Sequence, residues 1–153
     1  MTMDRNGAVM LVEDDPNDAA LTEMAFERAR FRNPLHVVTD GEQAIAYLAA
    51  KDPYADRGRF PLPILVLLDL KLPRRSGLDV LEWIRSTPIL RRMPVVVLTS
   101  SAQSPDINRA YDVGANSYLV KPVALENLVS LVQTLGLYWI TTNEGPFIPE
   151  VKP

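Results

Sequence analysis

Side chains suited to metal and phosphoryl chemistry follow four short apolar runs of this chain. The runs and the polar residues after them are 10–12 with Glu13 and Asp14, 65–68 with Asp69, 95–98 with Thr99, and 118–120 with Lys121. If the runs are parallel strands, their carboxyl ends share one sheet edge, where ligands bind at the point at which the strand order reverses. Carboxylates, a lysine and a threonine in one pocket would suit a divalent cation and a phosphoryl group.

Predicted strands and helices alternate five times along the chain and could bring these side chains together. Strands are predicted at 8–13, 35–39, 64–69, 94–98 and 116–120, and each is followed by a helical pattern. The first helix begins at Asp15 and Pro16, because aspartate can cap a helix and proline suits its first position. Most of the strands lack clean alternation, which is typical of strands covered on both faces. The pattern predicts an α/β fold with a doubly wound, five-stranded parallel sheet.

Length and composition predict one globular domain. The chain has 153 residues, of which 47% are hydrophobic and 23% charged, and this is enough for a buried core. We expect an amino-terminal tail at 1–7, a domain at 8–142 with an extended fifth helix, and a carboxyl-terminal tail at 143–153. The polar, proline-containing connection at 51–63 is predicted to be a mobile surface loop.

Charge and cysteine content limit the function classes. The absence of cysteine excludes disulfides and thiolate metal sites, and a net charge of −3 without a basic stripe argues against a nucleic-acid partner. The polar start of the chain and the lack of any apolar run near ~20 residues predict no signal peptide and no membrane partner. We therefore expect a cytoplasmic protein.

Five motifs in order resemble the receiver domain of two-component response regulators. They are the acidic pair Glu13-Asp14, Asp69 with Pro73 four places on, Thr99 after the fourth strand, the aromatic Tyr118, and Lys121-Pro122. The resemblance covers about 8–136. It implies a flavodoxin-like receiver fold with strand order 2-1-3-4-5. It also implies a histidine kinase as the partner that donates a phosphoryl group.

The resemblance assigns a phosphoacceptor and a metal site. Asp69 would accept the phosphoryl group, since a carboxylate can form an acyl phosphate. Mg²⁺ would be the cofactor, bound directly by Asp14 and Asp69, through water by Glu13, and by the backbone carbonyl of Lys71. Magnesium requires few protein ligands because it retains several waters.

The resemblance also assigns a switch. Lys121 would pair with Asp69 and then with a phosphoryl oxygen, and a cis peptide before Pro122 would aim the lysine inward. Thr99 would donate a hydrogen bond to a phosphoryl oxygen. Tyr118 would turn inward once Thr99 moves.

A narrower resemblance concerns the chain end and the loop at 51–63. The sequence at 135–139 is similar to that of stand-alone regulators that serve phytochrome kinases and have no output domain. This resemblance implies a phytochrome-type kinase and a homodimer formed through the side of helix four, strand five and helix five together with the carboxyl-terminal extension. Leu131 and Tyr138 would form an exposed apolar flank there, and Leu137 and Ile140 continue the apolar character past Gly136.

Two other function classes are open to such a chain. A phosphohydrolase with an aspartyl-phosphate intermediate is the alternative, but such enzymes usually carry an acid two places after the nucleophile, where this chain has Lys71. A flavodoxin-like flavin binder is disfavoured because Glu13, Asp14 and Asp15 would repel a phosphate. His36, the single histidine, is predicted to be an ordinary strand residue with no role as a ligand.

Overall fold

The computed structural model describes residues 4–150 and confirms the predicted sheet. Five parallel strands are arranged in the order β2-β1-β3-β4-β5, as the resemblance implied. The strands are β1 (Val9–Val12), β2 (Leu35–Val38), β3 (Leu65–Leu68), β4 (Val95–Thr99) and β5 (Ser117–Val120). The helices are α1 (Pro16–Arg28), α2 (Gly41–Leu48), α3 (Gly77–Ser86), α4 (Ser104–Val113) and α5 (Leu125–Gly136), followed by a π-helical segment, Leu137–Thr142.

The sheet is covered on both faces, which explains the unbroken apolar strands. Every residue of β1, β3 and β4 is buried. On one face, strand residues such as Met10 and Val66 pack with α2, α3 and α4. On the other face, Leu11 and Leu67 pack with α1 and α5. The two layers fix the sheet between the helices, and the carboxyl ends of β1, β3 and β4 therefore form a rigid edge.

Side-chain caps fix where three helices begin. The Asp15 carboxylate accepts hydrogen bonds from the backbone N–H groups of Asn17 and Asp18, so the predicted capping role of Asp15 is confirmed. Asp40 caps α2 and Ser76 caps α3 in the same manner. The first cap turns the chain directly from the acidic end of β1 into α1.

The chain is not continuously α-helical past Gly136, where an extended fifth helix was predicted. The Asn143 N–H donates to the Tyr138 carbonyl, five residues back, at 2.6 Å. A π-helical turn holds more residues than an α-helical turn and so shifts the side chains that follow. Ile140 is consequently buried, at 4% exposure, while Leu137 and Tyr138 are 60% and 52% exposed. Of the two apolar residues that continue past Gly136, Leu137 is therefore part of the surface and Ile140 part of the core.

Both segments predicted to be tails contact the domain within residues 4–150. Arg5 donates hydrogen bonds to the carbonyls of Ile140, Thr141 and Asn143 and forms an ion pair with Glu144. Ile148 packs against the apolar layer that contains α2, α3 and α4. Residues 1–3 and 151–153 lie outside the described part, and the domain boundaries stay a prediction.

Aromatic packing ties the connection at 51–63 to α2. The Tyr47 hydroxyl donates to the Pro61 carbonyl at 2.8 Å, and Arg57 donates to the Tyr47 and Leu48 carbonyls. Phe60 packs edge-on against Tyr47, with ring centroids 5.8 Å apart. A mobile polar loop was predicted here, and these contacts instead hold the segment on the domain, because its aromatic residues have an apolar partner in α2.

His36 belongs to the same aromatic group. Its ring lies 5.9 Å from the Tyr47 ring, and burial lowers its pKa. These contacts are those of a packed strand residue, in agreement with the sequence interpretation. None of the helices in the described ranges is long and apolar enough to cross a membrane.

Candidate functional site

Backbone pairing brings the predicted site residues to one edge of the sheet. Val12 is paired with Leu68, so Glu13 and Asp69 leave neighbouring strands at the same level. The Asp69 N–H donates to the Val12 carbonyl at 3.1 Å, and the Lys121 N–H donates to the Thr99 carbonyl at 2.8 Å. Register is strongly fixed in strands buried on both faces, and the relative heights of these side chains are therefore fixed too.

Asp69 is the centre of the pocket. Its Oδ1 accepts from the Thr99 hydroxyl at 2.7 Å and from the Lys71 N–H at 3.3 Å, and its Oδ2 accepts from Lys121 Nζ at 2.9 Å. Asp69 is only 7% exposed. Gly77 allows the following loop to close, because a Cβ atom there would lie 2.1 Å from the Asp69 carbonyl oxygen.

Lys121 joins three carboxylates. Its ammonium group donates to Glu13, to Asp18 Oδ2 at 3.0 Å and to Asp69 Oδ2 at 2.9 Å. Sequence reasoning missed Asp18, although its place in the first turn of α1 puts it beside the pocket. Among residues 4–150 the one cis peptide bond is Asp52–Pro53, so the cis bond implied before Pro122 is absent. The lysine reaches inward from a trans peptide because β5 already ends beside Thr99.

The electrostatics follow from three acids sharing one lysine. Burial raises the pKa of Glu13 to about 7, and the Asp69 charge adds to this rise although Lys121 opposes it. Burial also acts to raise the pKa of Asp69, but hydrogen bonds from Lys121 and Thr99 outweigh burial and hold that pKa below its usual value. Burial acts to lower the pKa of Lys121, and its bonds to Glu13 and Asp69 outweigh burial and raise it.

Protonation of Glu13 would weaken its bond to Lys121, so the charges of these two groups are linked. We take Lys121 and Asp69 as the charged pair, since hydrogen bonds outweigh burial at both groups, whereas burial prevails at Glu13. Glu13 is then the acid whose negative charge the pocket tolerates least, which is why its pKa is raised. A second cation would offset that charge.

An oxygen cluster beside Lys121 fits a divalent cation. Carboxylate oxygens of Glu13, Asp14 and Asp69 all lie within 4.8 Å of one another. Glu13 and Asp69 are buried, whereas Asp14 is exposed. Hard cations such as Mg²⁺ and Mn²⁺ prefer all-oxygen donor sets of this kind. The structure therefore brings the three expected carboxylates together, and their role as metal ligands, with the Lys71 carbonyl, stays a prediction.

Thr99 and Tyr118 lie on the α4 side of the pocket. Thr99 is fully buried and already contacts Asp69. The Tyr118 hydroxyl donates to the Ser101 carbonyl at 2.8 Å, and burial raises the pKa of that hydroxyl. The Ser101 hydroxyl in turn donates to Asp106, in the first turn of α4. Tyr118 is therefore linked to the loop after Thr99 rather than to Asp69 itself.

The sequence profile of the response regulator receiver domain matches residues 9–133. The chain belongs to the response regulator receiver domain family. Receiver domains are phosphorylated by histidine kinases and bind a divalent metal. This membership agrees with the strand order and with the carboxylate cluster at the sheet edge.

Three relatives illustrate the family. The probable methanogenesis regulatory protein FilR2 of Methanothrix harundinacea is 41% identical over 138 residues, which cover 90% of this chain and 86% of FilR2. The response regulator Rcp1 of Synechocystis is 36% identical over 138 residues, covering 90% of this chain and 92% of Rcp1. The Mn²⁺-bound crystal structure of Rcp1 aligns with this chain with a TM-score of 0.82 at 35% sequence identity. The alignment covers 92% of this chain and 99% of Rcp1.

The third relative is a phosphorylated protein. It is the phosphorylated cyanobacterial phytochrome response regulator RcpA, whose sequence is 36% identical to this chain and whose crystal structure aligns with it with a TM-score of 0.85. The similarity covers 92% of this chain and 98% of RcpA. The resemblance to stand-alone phytochrome regulators noted in the sequence thus has counterparts among solved structures.

Proposed function

We propose that this chain is a single-domain response regulator that accepts a phosphoryl group from a histidine kinase on Asp69. The supporting observation is the environment of the Asp69 carboxylate. It is charged, nearly buried, and placed between a threonine hydroxyl, a lysine ammonium and a carboxylate cluster. A carboxylate in these surroundings can act as a nucleophile, and the nearby donors can stabilise the transferred group.

The proposed transfer is a displacement at phosphorus. An Asp69 oxygen forms a bond to the phosphorus of the phosphohistidine as the bond from phosphorus to the imidazole nitrogen breaks. Lys121 and Thr99 donate hydrogen bonds to phosphoryl oxygens. Glu13, Asp14, Asp69 and the Lys71 carbonyl would hold Mg²⁺, which when bound offsets the charge of the phosphoryl oxygens. The imidazole leaves and an acyl phosphate remains on the chain.

The alternative, a phosphohydrolase with an aspartyl-phosphate intermediate, usually carries its general acid two places after the nucleophile. The hydrogen-bond donors to Asp69 in the described chain are Thr99, Lys121 and the Lys71 N–H. The Lys71 side chain is exposed where such an enzyme has an acid. A lysine at that position favours a switch over an enzyme of this type. Turnover of p-nitrophenyl phosphate well above that of an Asp69→Asn variant would refute this preference.

Labelling by a small phosphodonor tests the proposal. We expect the chain incubated with acetyl phosphate and Mg²⁺ to gain one phosphoryl group by intact mass spectrometry. Chelation with EDTA should reduce the labelling to background, because the carboxylate cluster then lacks the cation that offsets its charge. Labelling that persists undiminished in EDTA would contradict the metal requirement.

Thr99 and Tyr118 are proposed to couple phosphorylation to the surface of α4, β5 and α5. A phosphoryl group on Asp69 would take over the Thr99 hydroxyl bond, which now goes to Asp69 Oδ1. Movement of the following loop would alter the Tyr118 hydroxyl bond to Ser101. We expect Thr99→Ala to be labelled yet to lose the phosphorylation-dependent NMR shifts of Tyr118, while Thr87→Ala behaves as wild type. If Tyr118 showed the same phosphorylation-dependent shifts in Thr99→Ala as in wild type, the proposed coupling would be refuted.

We further propose a homodimer through the α4, β5 and α5 side and the π-helical segment. A groove of about 470 Å³ lies between β5, α5 and the π-helical segment, and Leu131, Tyr138 and Trp139 line part of it. Tyr138 and Leu137 are more than half exposed beside the groove. A two-fold dimer would cover this apolar surface, and a stable one should bury on the order of 1,000 Å² or more.

The oligomeric state provides the test. We expect light scattering to show a dimer for the wild type and a monomer for Tyr138→Asp, because a carboxylate in an apolar interface is costly. Ile89→Asp is a matched control, since Ile89 is 40% exposed and does not line this groove. A monomeric wild type in both phosphorylation states would disprove the dimer.

The proposed phosphodonor is a phytochrome-type kinase in the cytoplasm. It would dock beside the pocket, where Leu21, Thr22 and Val123 line a groove next to Lys121. The similarity to RcpA motivates this choice of kinase. We expect a phosphorylated phytochrome kinase to transfer its phosphoryl group faster than an unrelated histidine kinase. Equal rates from the two kinases would remove the phytochrome assignment but leave the phosphoacceptor role intact.

A further inference from the structure

A third carboxylate holds Lys121, and neither the sequence motifs nor the family resemblance identified it. An ammonium group has three N–H donors, and here they are directed at Glu13, Asp18 and Asp69. The bond to Asp18 Oδ2 measures 3.0 Å. Because each donor has a carboxylate partner, the direction of the lysine side chain is fixed.

Asp18 differs from the other two acceptors. Glu13 and Asp69 belong to the cluster that would hold a cation, and Asp69 is also the proposed phosphoacceptor. Asp18 lies outside that cluster. Among the charged groups of the pocket, its one partner is Lys121. Cation binding and phosphorylation both draw on the oxygens of Glu13 and Asp69. The Asp18 carboxylate remains available to Lys121 throughout.

The backbone beneath Asp18 is held firmly. Its N–H donates to Asp15 Oδ1 at 3.3 Å, as part of the cap of α1. Its carbonyl accepts from the buried Thr22 hydroxyl at 2.8 Å. Groups on a rigid helix turn position their partners better than groups on a loop. The Asp18 side chain is 39% exposed, so it lies at the rim of the pocket rather than inside it.

We propose that Asp18 is a positioning residue that keeps the Lys121 ammonium aimed at the phosphoryl group during transfer. This role rests on the proposed function of Asp69. As the Asp69 oxygen bonds to phosphorus, Lys121 gives up Asp69 Oδ2 and donates to a phosphoryl oxygen instead. The bond to Asp18 holds the lysine during that exchange. Misplacement by about 1 Å can cost up to about 100-fold in rate.

Phosphorylation rates of three variants test the role. With acetyl phosphate and Mg²⁺, we expect Asp18→Ala to be labelled about tenfold more slowly than wild type. Asp18→Asn retains an oxygen acceptor and should remain within about threefold of wild type. Glu23→Ala removes an exposed acid from the same helix and should match wild type. Asp18→Ala at the wild-type rate, or Asp18→Asn as slow as Asp18→Ala, would overturn the proposal.

A second readout does not depend on phosphorylation. In the unphosphorylated protein without Mg²⁺, we expect a slowly exchanging Lys121 ammonium signal in ¹⁵N NMR for wild type and Asp18→Asn. In Asp18→Ala that signal should shift and broaden, because one donor is released to water. An unchanged signal would overturn the positioning role. A wild-type chain that is never labelled would refute the phosphoacceptor role alone, since the NMR comparison still tests the contact.

Discussion

Asp69→Asn is expected to reduce phosphoryl incorporation to background. The substitution preserves the volume of the side chain but replaces a charged nucleophilic oxygen by an amide, which forms no acyl phosphate under these conditions. Only one amide oxygen remains to accept from Thr99 or Lys121, and the new N–H₂ group faces another donor. Intact mass after incubation with acetyl phosphate and Mg²⁺ measures the effect.

Two controls separate loss of the nucleophile from loss of the fold. Asp79→Asn makes the same chemical change at an exposed position in the first turn of α3 and should be labelled like wild type. The far-ultraviolet circular dichroism of Asp69→Asn should match that of wild type, because the hydrogen bonds of β3 are unaltered. A phosphoryl mass on Asp69→Asn at wild-type rate would mean that another residue accepts the group.

Lys121→Met is expected to make stability depend strongly on Mg²⁺. Methionine preserves the apolar stem but removes the charge shared by Glu13, Asp18 and Asp69. The lysine and Glu13 side chains are only 10% and 3% exposed, so solvent screening is weak. Loss of one partner of a buried ion pair typically costs about 3 kcal/mol of unfolding free energy. We expect a loss of that size in EDTA, measured by urea denaturation.

Magnesium should restore much of that loss. A cation bound only by the folded chain stabilises it by about 2.7 kcal/mol at a concentration 100 times the dissociation constant. The gain should be larger for Lys121→Met than for wild type, since the variant lacks a competing ammonium. Lys71→Ala, which removes an exposed lysine near the same pocket, should change stability by less than about 0.5 kcal/mol. Equal responses of Lys121→Met and wild type to Mg²⁺ would contradict the shared-charge account.

The core of the pocket was predictable because it depends on local sequence. Apolar runs that end in Glu13, Asp69, Thr99 and Lys121 indicate buried parallel strands, and parallel strands bring such residues to one edge. The Asp15 cap was predictable for the same reason, since aspartate before proline is a local signal. The structure confirms these elements and the strand order implied by the resemblance.

Features that depend on distant contacts were not predictable. Asp18 accepts a hydrogen bond from Lys121, which lies 103 positions away in the sequence. The contact exists only because β5 ends beside α1 in the folded chain. Arg5 binds carbonyls at the carboxyl-terminal end of the chain, 135 or more positions away. The π-helical turn that buries Ile140 follows from the fit of the chain end against the domain, where Gly136 lies against Phe31. A wheel drawn with α-helical spacing cannot anticipate it.

Borohydride reduction of the phosphorylated wild-type chain would identify the residue that accepts the phosphoryl group. An acyl phosphate is reduced to an alcohol, so a phosphorylated aspartate becomes homoserine and can be located by peptide mass spectrometry. We expect homoserine at position 69 alone, formed with Mg²⁺ and absent when EDTA is present during labelling. A reduced carboxyl at Glu13, Asp14 or Asp18, or a labelled chain with an unmodified Asp69, would contradict it.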